Sequence, residues 1–476
     1  MAASSSSSYL LCLISLVYLL ISLLSIPSNA TITIPLSFST KFPSSDPVQI
    51  LNHLATASLT RAQRLKLPKK IQTNDTATLS SSLVKTPLFA HSYGGYSISL
   101  SFGTPPQTVP FVFDTGSSLV WFPCTSRYLC SKCFFPNIDP NQIPAFIPKL
   151  SSSSKLVGCQ NLKCSWIFGS DLQSRCQGCD PNLRNCTQAC PPYILQYGLG
   201  STAGLLLSET LDFPDQTVPN FLVGCSILSS RQPAGIAGFG RNPESLPSQM
   251  RLKKFSYCLV SRRFDETPVS SNLVLETGSG KAHDKIRDVS YTPFLKNPSV
   301  SNIAFQDYYY VSLRKIIIGD KHVKIPYSLL VPGPDGNGGT IVDSGSTFTF
   351  MERPVFEAVA KEFEAQMRNF SRSTAVETQS GLSPCFNISG EKSMRVPKLI
   401  FQFKGGAKMV LPSSNYLAFI GKPAAVCLMI VSDNAVDESA GSLGPAIILG
   451  NFQQQNFYVE FDLGKQRFGF AKQRCA

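Results

Sequence analysis

From about residue 90 onward, hydrophobic positions alternate with polar ones in short runs such as Tyr96 to Phe102, Tyr308 to Ile318 and Phe457 to Phe461, separated by Gly, Pro and Asn. Period-two alternation broken by turn residues predicts strands, so this part of the chain reads as nearly all β. Helical spacing is scarce. Its clearest run places Pro354 in a first turn and carries Val355, Phe356, Val359 and Phe363 on one stripe, a helix that packs onto a sheet. A second helix is predicted to begin at Asp46-Pro47, with Ile50, Leu51, Leu54 and Leu59 at helical spacing, then Arg61, Arg64, Lys66, Lys69 and Lys70, and a stop at Pro68. At the N-terminus, Tyr9 to Leu24 is almost continuously apolar and is followed by Ser28-Asn29-Ala30. That pattern predicts a cleaved signal peptide over 1–30, with a retained anchor as the alternative because MAASSSSS holds no Lys or Arg.

Composition narrows the picture. With 476 residues, 43% of them hydrophobic and 15% charged, the chain can bury a large core over two to three domain lengths. The formal net charge is +13, yet no dense Lys/Arg stripe or recognition module accompanies it, which argues against nucleic acid as a partner. No second stretch reaches about 18 apolar residues, so no membrane association is expected once the signal is removed. Of fifteen cysteines, Cys12 lies in the signal, leaving an even fourteen. Cys130-x2-Cys133, Cys159-x4-Cys164, Cys176-x2-Cys179 and Cys186-x3-Cys190 are open to zinc-knuckle or disulfide readings. Behind a signal peptide the oxidising compartment favours disulfides, no metal and no cofactor. The low-charge stretch 124–190 then reads as a loop-rich, stapled insertion. Residues 31–85 are Ser/Thr-rich, basic and free of cysteine, either a linker or a removable pro-segment. Sequons at Asn185, Asn369 and Asn387 predict surface glycosylation, and that at Asn74 falls in the pro-segment.

One internal repeat carries chemistry. Phe111-Val112-Phe113-Asp114-Thr115-Gly116-Ser117-Ser118 recurs 229 residues later as Thr340-Ile341-Val342-Asp343-Ser344-Gly345-Ser346-Thr347. Each copy is trailed by a hydrophobic-Gly pair, Ile236-Ala237-Gly238 and Ile448-Leu449-Gly450. A strand ending in Asp delivers a carboxylate to the sheet's edge, Gly permits a tight turn with close approach, and the following hydroxyls can bond the carboxylate oxygens. Two such turns face to face bring together like charges that resist double ionisation and share a proton. The ionised member can then activate water while the protonated one polarises a carbonyl.

On these motifs the sequence resembles the pepsin-like aspartic proteases from about Tyr93 to Cys475. Tyr197-Gly198-Leu199-Gly200-Ser201, followed by Thr202-Ala203-Gly204, is similar to the family's flap hairpin, and Trp121 in SSLVWFPC matches the tryptophan packed on the flap tyrosine. Phe102-Gly103-Thr104-Pro105-Pro106-Gln107 resembles the opening strand and turn. The Cys-rich insertion and FSYC at 255–258 resemble the nepenthesin-type plant branch, from which the chain departs at Leu199, where that branch usually carries an acidic residue. The resemblance implies an all-β, bilobal fold with a few short helices, a first lobe over 90–280 and a second over 281–476. It implies Asp114 and Asp343 as catalytic carboxylates. Ser117 and Ser346 would hold them, Thr115 and Ser344 would cross-brace the turns with Gly116 and Gly345, and Tyr197, Gly198 and Trp121 would form the flap side of the cleft. It also implies a Cys385–Cys427 staple in the second lobe.

The expected product is an aspartic endopeptidase, secreted to the extracellular space or cell wall with the vacuole as the other destination. It would be monomeric and act at acidic pH on polypeptides in extended conformation. Lys and Arg of 61–70 could pair with the dyad or other cleft acids and keep it latent. Two rivals remain. A Ser-His-Asp hydrolase finds no G-x-S-x-G turn and no catalytic context for His53, His91, His283 or His322. A non-catalytic binding protein on the same fold, like the family's glycosidase inhibitors and lectin-like globulins, would be expected to lose a catalytic Asp motif or the flap.

Overall fold

The computed structural model describes residues 31–38, 46–66, 95–131, 133, 143–179, 186–197, 200–214, 216–231, 234–261, 269–278, 288–299, 303–391, 394–421, 424–433 and 444–475. The predicted signal peptide, Asn74, Asn185 and Gly198 lie outside them. Strands dominate, as the alternation requires, and Pro47–Lys66 and Arg353–Gln366 are the long helices among the described residues. The latter buries Val355, Val359, Ala360 and Phe363; of the stripe read from the sequence Phe356 is only half-buried, and Ala360 joins it.

A 15-stranded sheet spans both halves of the chain, joining the C-terminal strands Phe457–Asp462 and Arg467–Lys472 to Lys254–Cys258 and onward to the first-lobe strands. Phe255 of the first half stacks on Phe461 of the second at 4.5 Å, so the lobes share an aromatic core across this sheet. The repeat is reproduced in three dimensions. Gln107–Asp114 runs parallel to Gly235–Gly238, with Gly238 opposite Asp114, and Gly235–Gly238 turns antiparallel onto Trp121. In the second lobe Thr340–Val342 runs parallel to Ile447–Leu449, which lies antiparallel to Thr349–Met351. The trailing hydrophobic-Gly pairs are therefore the strands that flank each Asp strand.

Two elements differ from the sequence expectation. The run Tyr308 to Ile318 is not one strand: Tyr309–Val311 pairs with Thr340–Val342 while Leu313–Ile318 pairs with Leu399–Phe403. The chain switches sheets at Ser312, a buried position that alternation cannot distinguish from mid-strand. Residues 31–38, placed by the sequence in the linker or pro-segment with no element predicted, form a strand inserted between Val269–Glu276 and Ser97–Phe102. Ile32, Ile34 and Leu36 point into the core. Their period-two spacing was the available signal, masked by Pro35 in mid-run.

The fourteen cysteines form seven disulfides. Cys124–Cys225 anchors the Cys-rich insertion, which Cys130–Cys133, Cys159–Cys176, Cys164–Cys190 and Cys179–Cys186 staple internally. Cys258–Cys475 ties the C-terminus to the interlobe sheet. Cys385–Cys427 joins directly opposed residues of the strands Cys385–Asn387 and Ala424–Leu428. Replacing both by Ser should lower unfolding free energy by about 2–5 kcal/mol, because the bond closes a long loop. Thermal unfolding checks this, and a midpoint equal to wild type would show the staple to be dispensable. Asn369 and Asn387 are exposed, as sugar attachment requires.

Candidate active site

The two Asp turns meet at the floor of the interlobe cleft, held by reciprocal bonds between lobes. The Thr115 backbone N–H donates to Ser344 Oγ at 3.0 Å, and the Ser344 N–H donates to Thr115 Oγ1 at 2.9 Å. Each hydroxyl also donates across, Thr115 Oγ1 to the Val342 carbonyl and Ser344 Oγ to the Phe113 carbonyl. All four groups are buried, so the brace is dry and fixes both turns to one geometry.

Each carboxylate is held in the same way. Asp114 accepts from Ser117 Oγ at 2.6 Å and from the Gly116 N–H at 2.9 Å. Asp343 accepts from Ser346 Oγ at 2.5 Å and from the Gly345 N–H at 3.0 Å. The glycines are required by approach: a Cβ at Gly116 would stand 2.6 Å from Asp343 Oδ1, and one at Gly345 would stand 2.5 Å from Asp114 Oδ1. Here Gly serves for space, since each turn faces the opposite carboxylate.

Between the carboxylates lies Arg61, from the basic end of the helix Pro47–Lys66. Its Nη2 donates to Asp114 Oδ1 at 2.6 Å and to Asp343 Oδ1 at 2.9 Å, and its Nε donates to Asp343 Oδ2 at 2.7 Å. Burial alone would weaken the charge of the guanidinium, but the two neighbouring carboxylates and the hydrogen bond to Asp343 outweigh it and hold Arg61 firmly charged. The carboxyls are driven apart. Burial pushes Asp114 up, and the adjacent Asp343 charge adds to this against the pull of Arg61 and Ser117. For Asp343 burial also acts upward, but the Arg61 charge and its paired hydrogen bonds, with those from Ser346 and Gly345, bring it below its ordinary value.

The helix that delivers Arg61 is seated on the second lobe. Its buried Val48, Ile50, Leu51, Leu54 and Leu65 join a core cluster with Tyr308, Phe348, Phe350 and Ile448. Ser58 Oγ accepts from the Phe348 N–H at 2.9 Å, and Tyr308 Oη donates to the Leu65 carbonyl at 2.8 Å. Of the basic residues at 61–70, Arg61 takes the dyad, Arg64 reaches Gln196 beside the flap, and Lys66 pairs with Glu352. Lys69 and Lys70 lie outside the described residues.

Over the first lobe, strands Tyr193–Gln196 and Ser201–Phe213 form the flap hairpin. Tyr197 is half-buried at its tip, and its hydroxyl accepts from Trp121 Nε1 at 2.8 Å. Desolvation, with the nearby Asp114 charge, keeps this phenol well above its ordinary pKa and therefore neutral. A Tyr197→Phe variant leaves the buried indole N–H without this partner, at a cost of about 1–3 kcal/mol. A lowered thermal midpoint with unchanged circular dichroism is expected, and a midpoint equal to wild type would show the bond to be dispensable to the flap.

Sequence reasoning missed Glu352 and Tyr308, which receive the helix Pro47–Lys66, and Asp307, which binds Ser118 Oγ at 2.5 Å and Asn242 Nδ2 at 2.6 Å behind the first turn. None belongs to the repeat, so only their three-dimensional position reveals them.

Two cross-braced Asp turns closed by a flap, on two pseudo-symmetric β lobes, define the aspartic-protease class of fold. The family models "Xylanase inhibitor N-terminal" and "Xylanase inhibitor C-terminal" match residues 96–275 and 308–472. A probable aspartyl protease of Arabidopsis thaliana is 35% identical over 425 residues, covering 80% of this chain and 82% of that protein. Aspartic proteinase nepenthesin-2 of Nepenthes gracilis is 33% identical over 404 residues, covering 83% and 81%. The chain belongs to the pepsin-like aspartic protease family, in its nepenthesin-type plant branch. Among solved structures, edgp superposes with TM-score 0.59 at 22% identity, covering 81% of this chain and 92% of its own. The basic 7S globulin from soybean follows at TM-score 0.56 and 20% identity, covering 80% and 94%. These two share the fold.

Proposed function

We propose that the protein is an aspartic endopeptidase, made as a latent precursor and secreted, that hydrolyses extended polypeptides at acidic pH as a monomer. The observation that carries this reading is the pair of buried, cross-braced carboxylates bridged by a single arginine. Once Arg61 withdraws, the dyad holds one proton between two carboxylates. The ionised member takes a proton from a water lodged between them as the water oxygen attacks the peptide carbonyl, and the protonated member donates to the carbonyl oxygen. On collapse of the tetrahedral species the protonated carboxyl gives its proton to the leaving nitrogen as the C–N bond breaks, and the ionised one takes a proton from a gem-diol hydroxyl, which restores the dyad's single proton. Ser117, Ser346 and the two Gly N–H groups keep the carboxylates oriented throughout.

A binding protein on the same fold is the second reading, favoured by the inhibitor families whose models match and by the globulin fold relative. Against it stand both Asp turns and the flap Tyr197–Trp121 pair, present together with a basic side chain that masks the dyad. Masking has a purpose only where the dyad acts. Cleavage of a denatured protein at acid pH, blocked by pepstatin, is the expected result for the secreted protein. A folded, processed protein that cleaves nothing would move the function to partner binding.

A further inference from the structure

Beside the dyad the pro-helix occupies a second, separate position. Lys66, the last residue of the helix, extends Nζ to Glu352 Oε1 at 2.6 Å and over the Phe350 ring, 5.1 Å from its centroid. The pair is closed off from solvent, with Lys66 7% and Glu352 3% exposed. Glu352 stands just after the strand Thr349–Met351, and its N–H donates to the Ala446 carbonyl at 2.8 Å. That strand lies against Ile447–Leu449, which itself flanks the Asp343 strand, so the pocket is built on the same framework as the dyad. Tyr308, bonded to the Leu65 carbonyl, and Phe305 complete the wall.

From this arrangement we infer that Glu352 and Phe350 form a substrate subsite for a basic side chain, Lys or Arg, of the polypeptide to be cleaved, with Lys66 as its occupant in the latent form. The inference rests on the peptidase reading above and adds a specificity to it. Glu352 brings a negative charge to a buried, aromatic-lined pocket, and Phe350 offers its face to a cation. Withdrawal of the helix removes Lys66, and a substrate cation restores both contacts. Arg61 and Lys66 are five residues apart on a helix, about 7.5 Å along its axis. An extended chain rises about 3.3 Å per residue, so the basic side chain should fall two to three positions from the scissile bond.

The test uses pairs of peptides identical except for Lys or norleucine at each position in turn, with cleavage and binding both measured. The protein is the full chain after acid activation and, so that opening does not depend on processing, the full chain carrying Arg61→Ala and Lys66→Ala. At one position two or three residues from the cleaved bond, Lys should raise kcat/KM at least about 10-fold over norleucine, as charged pockets discriminate. Glu352→Gln should erase that advantage while cleavage of the norleucine peptides continues. Equal cleavage of Lys and norleucine peptides by the wild-type chain overturns the subsite while the peptidase reading stands, and this comparison decides the point if Glu352→Gln does not fold. If no peptide is cleaved, the peptidase reading fails, and calorimetric binding decides the pocket: tighter binding of one Lys peptide upholds it, equal binding overturns it.

Discussion

Replacing Asp114 by Asn should leave the two-lobed protein folded and reduce peptide hydrolysis by at least about 10³-fold, in the range that loss of a positioned acid-base group produces. Asparagine keeps the size of the side chain: its one oxygen can still accept from the Gly116 N–H, while its NH2 faces Ser117 Oγ, which can accept in turn. It cannot lose or share the proton that the mechanism moves, so the defect should lie in kcat and persist at every pH. Asp343→Asn should behave alike, and the double variant should be little worse than either, because the two carboxylates work as one unit. Acid-pH hydrolysis with purified, folded variants reads this directly. Residual activity within ten-fold of wild type in either single variant would mean that the dyad is not the catalyst.

Replacing Arg61 by Ala should unmask the intact, unprocessed chain. Arg61 is largely buried, 13% exposed at the side chain, and supplies hydrogen bonds to both carboxylates. Breaking a buried charge pair from one side costs about 3–5 kcal/mol, which converts to a weakening of the helix's hold on the dyad by roughly 10² to 4 × 10³-fold. Ser58, Tyr308, Lys66 and the apolar face still seat the helix, so the variant should fold. It should bind pepstatin and cleave at pH values where the intact wild-type chain is latent. An intact Arg61→Ala chain as latent as wild type across the pH range would show that Arg61 is not the lock.

The same contacts give the direction of acid activation. Asp343 is lowered in the latent form, so its contact with Arg61 is present above the ordinary aspartate value of about 3.9 and is lost as pH falls through its own lower value. Asp114 is raised, so its ionised contact with Arg61 weakens first, at a pH above that ordinary value. Release should therefore begin with Asp114 and finish with Asp343 below about pH 4. Pepstatin binding to the full chain as a function of pH checks the order of these steps.

The residues 31–85 divide the legible from the illegible. The helix was readable because Ile50, Leu51 and Leu54 repeat at 3.6-residue spacing between a start signal at Asp46-Pro47 and a stop at Pro68. That a cation from 61–70 could pair with the dyad or with other cleft acids was also readable, from the basic end of the helix. Which cation was not: Arg61 is selected by the rotation of the helix once its apolar face seats on Phe348 and Ile448, a contact between segments nearly 300 residues apart.

Local pattern determined the all-β class, the duplicated Asp turns and the even cysteine count that suits disulfides, since each depends on residues adjacent in the chain or on an internal repeat, and the flap was implied by the family resemblance of 197–204. The tertiary structure alone decided what depends on distant segments meeting. It set the sheet switch at Ser312, the strand 31–38 inside the interlobe sheet, the opposed shifts of two chemically identical carboxylates, and the Lys66–Glu352 pocket. The physical reason is the same in each case: burial, charge proximity and strand pairing are properties of space, and a sequence records them only where neighbours in space are also neighbours in the chain or copies of one another.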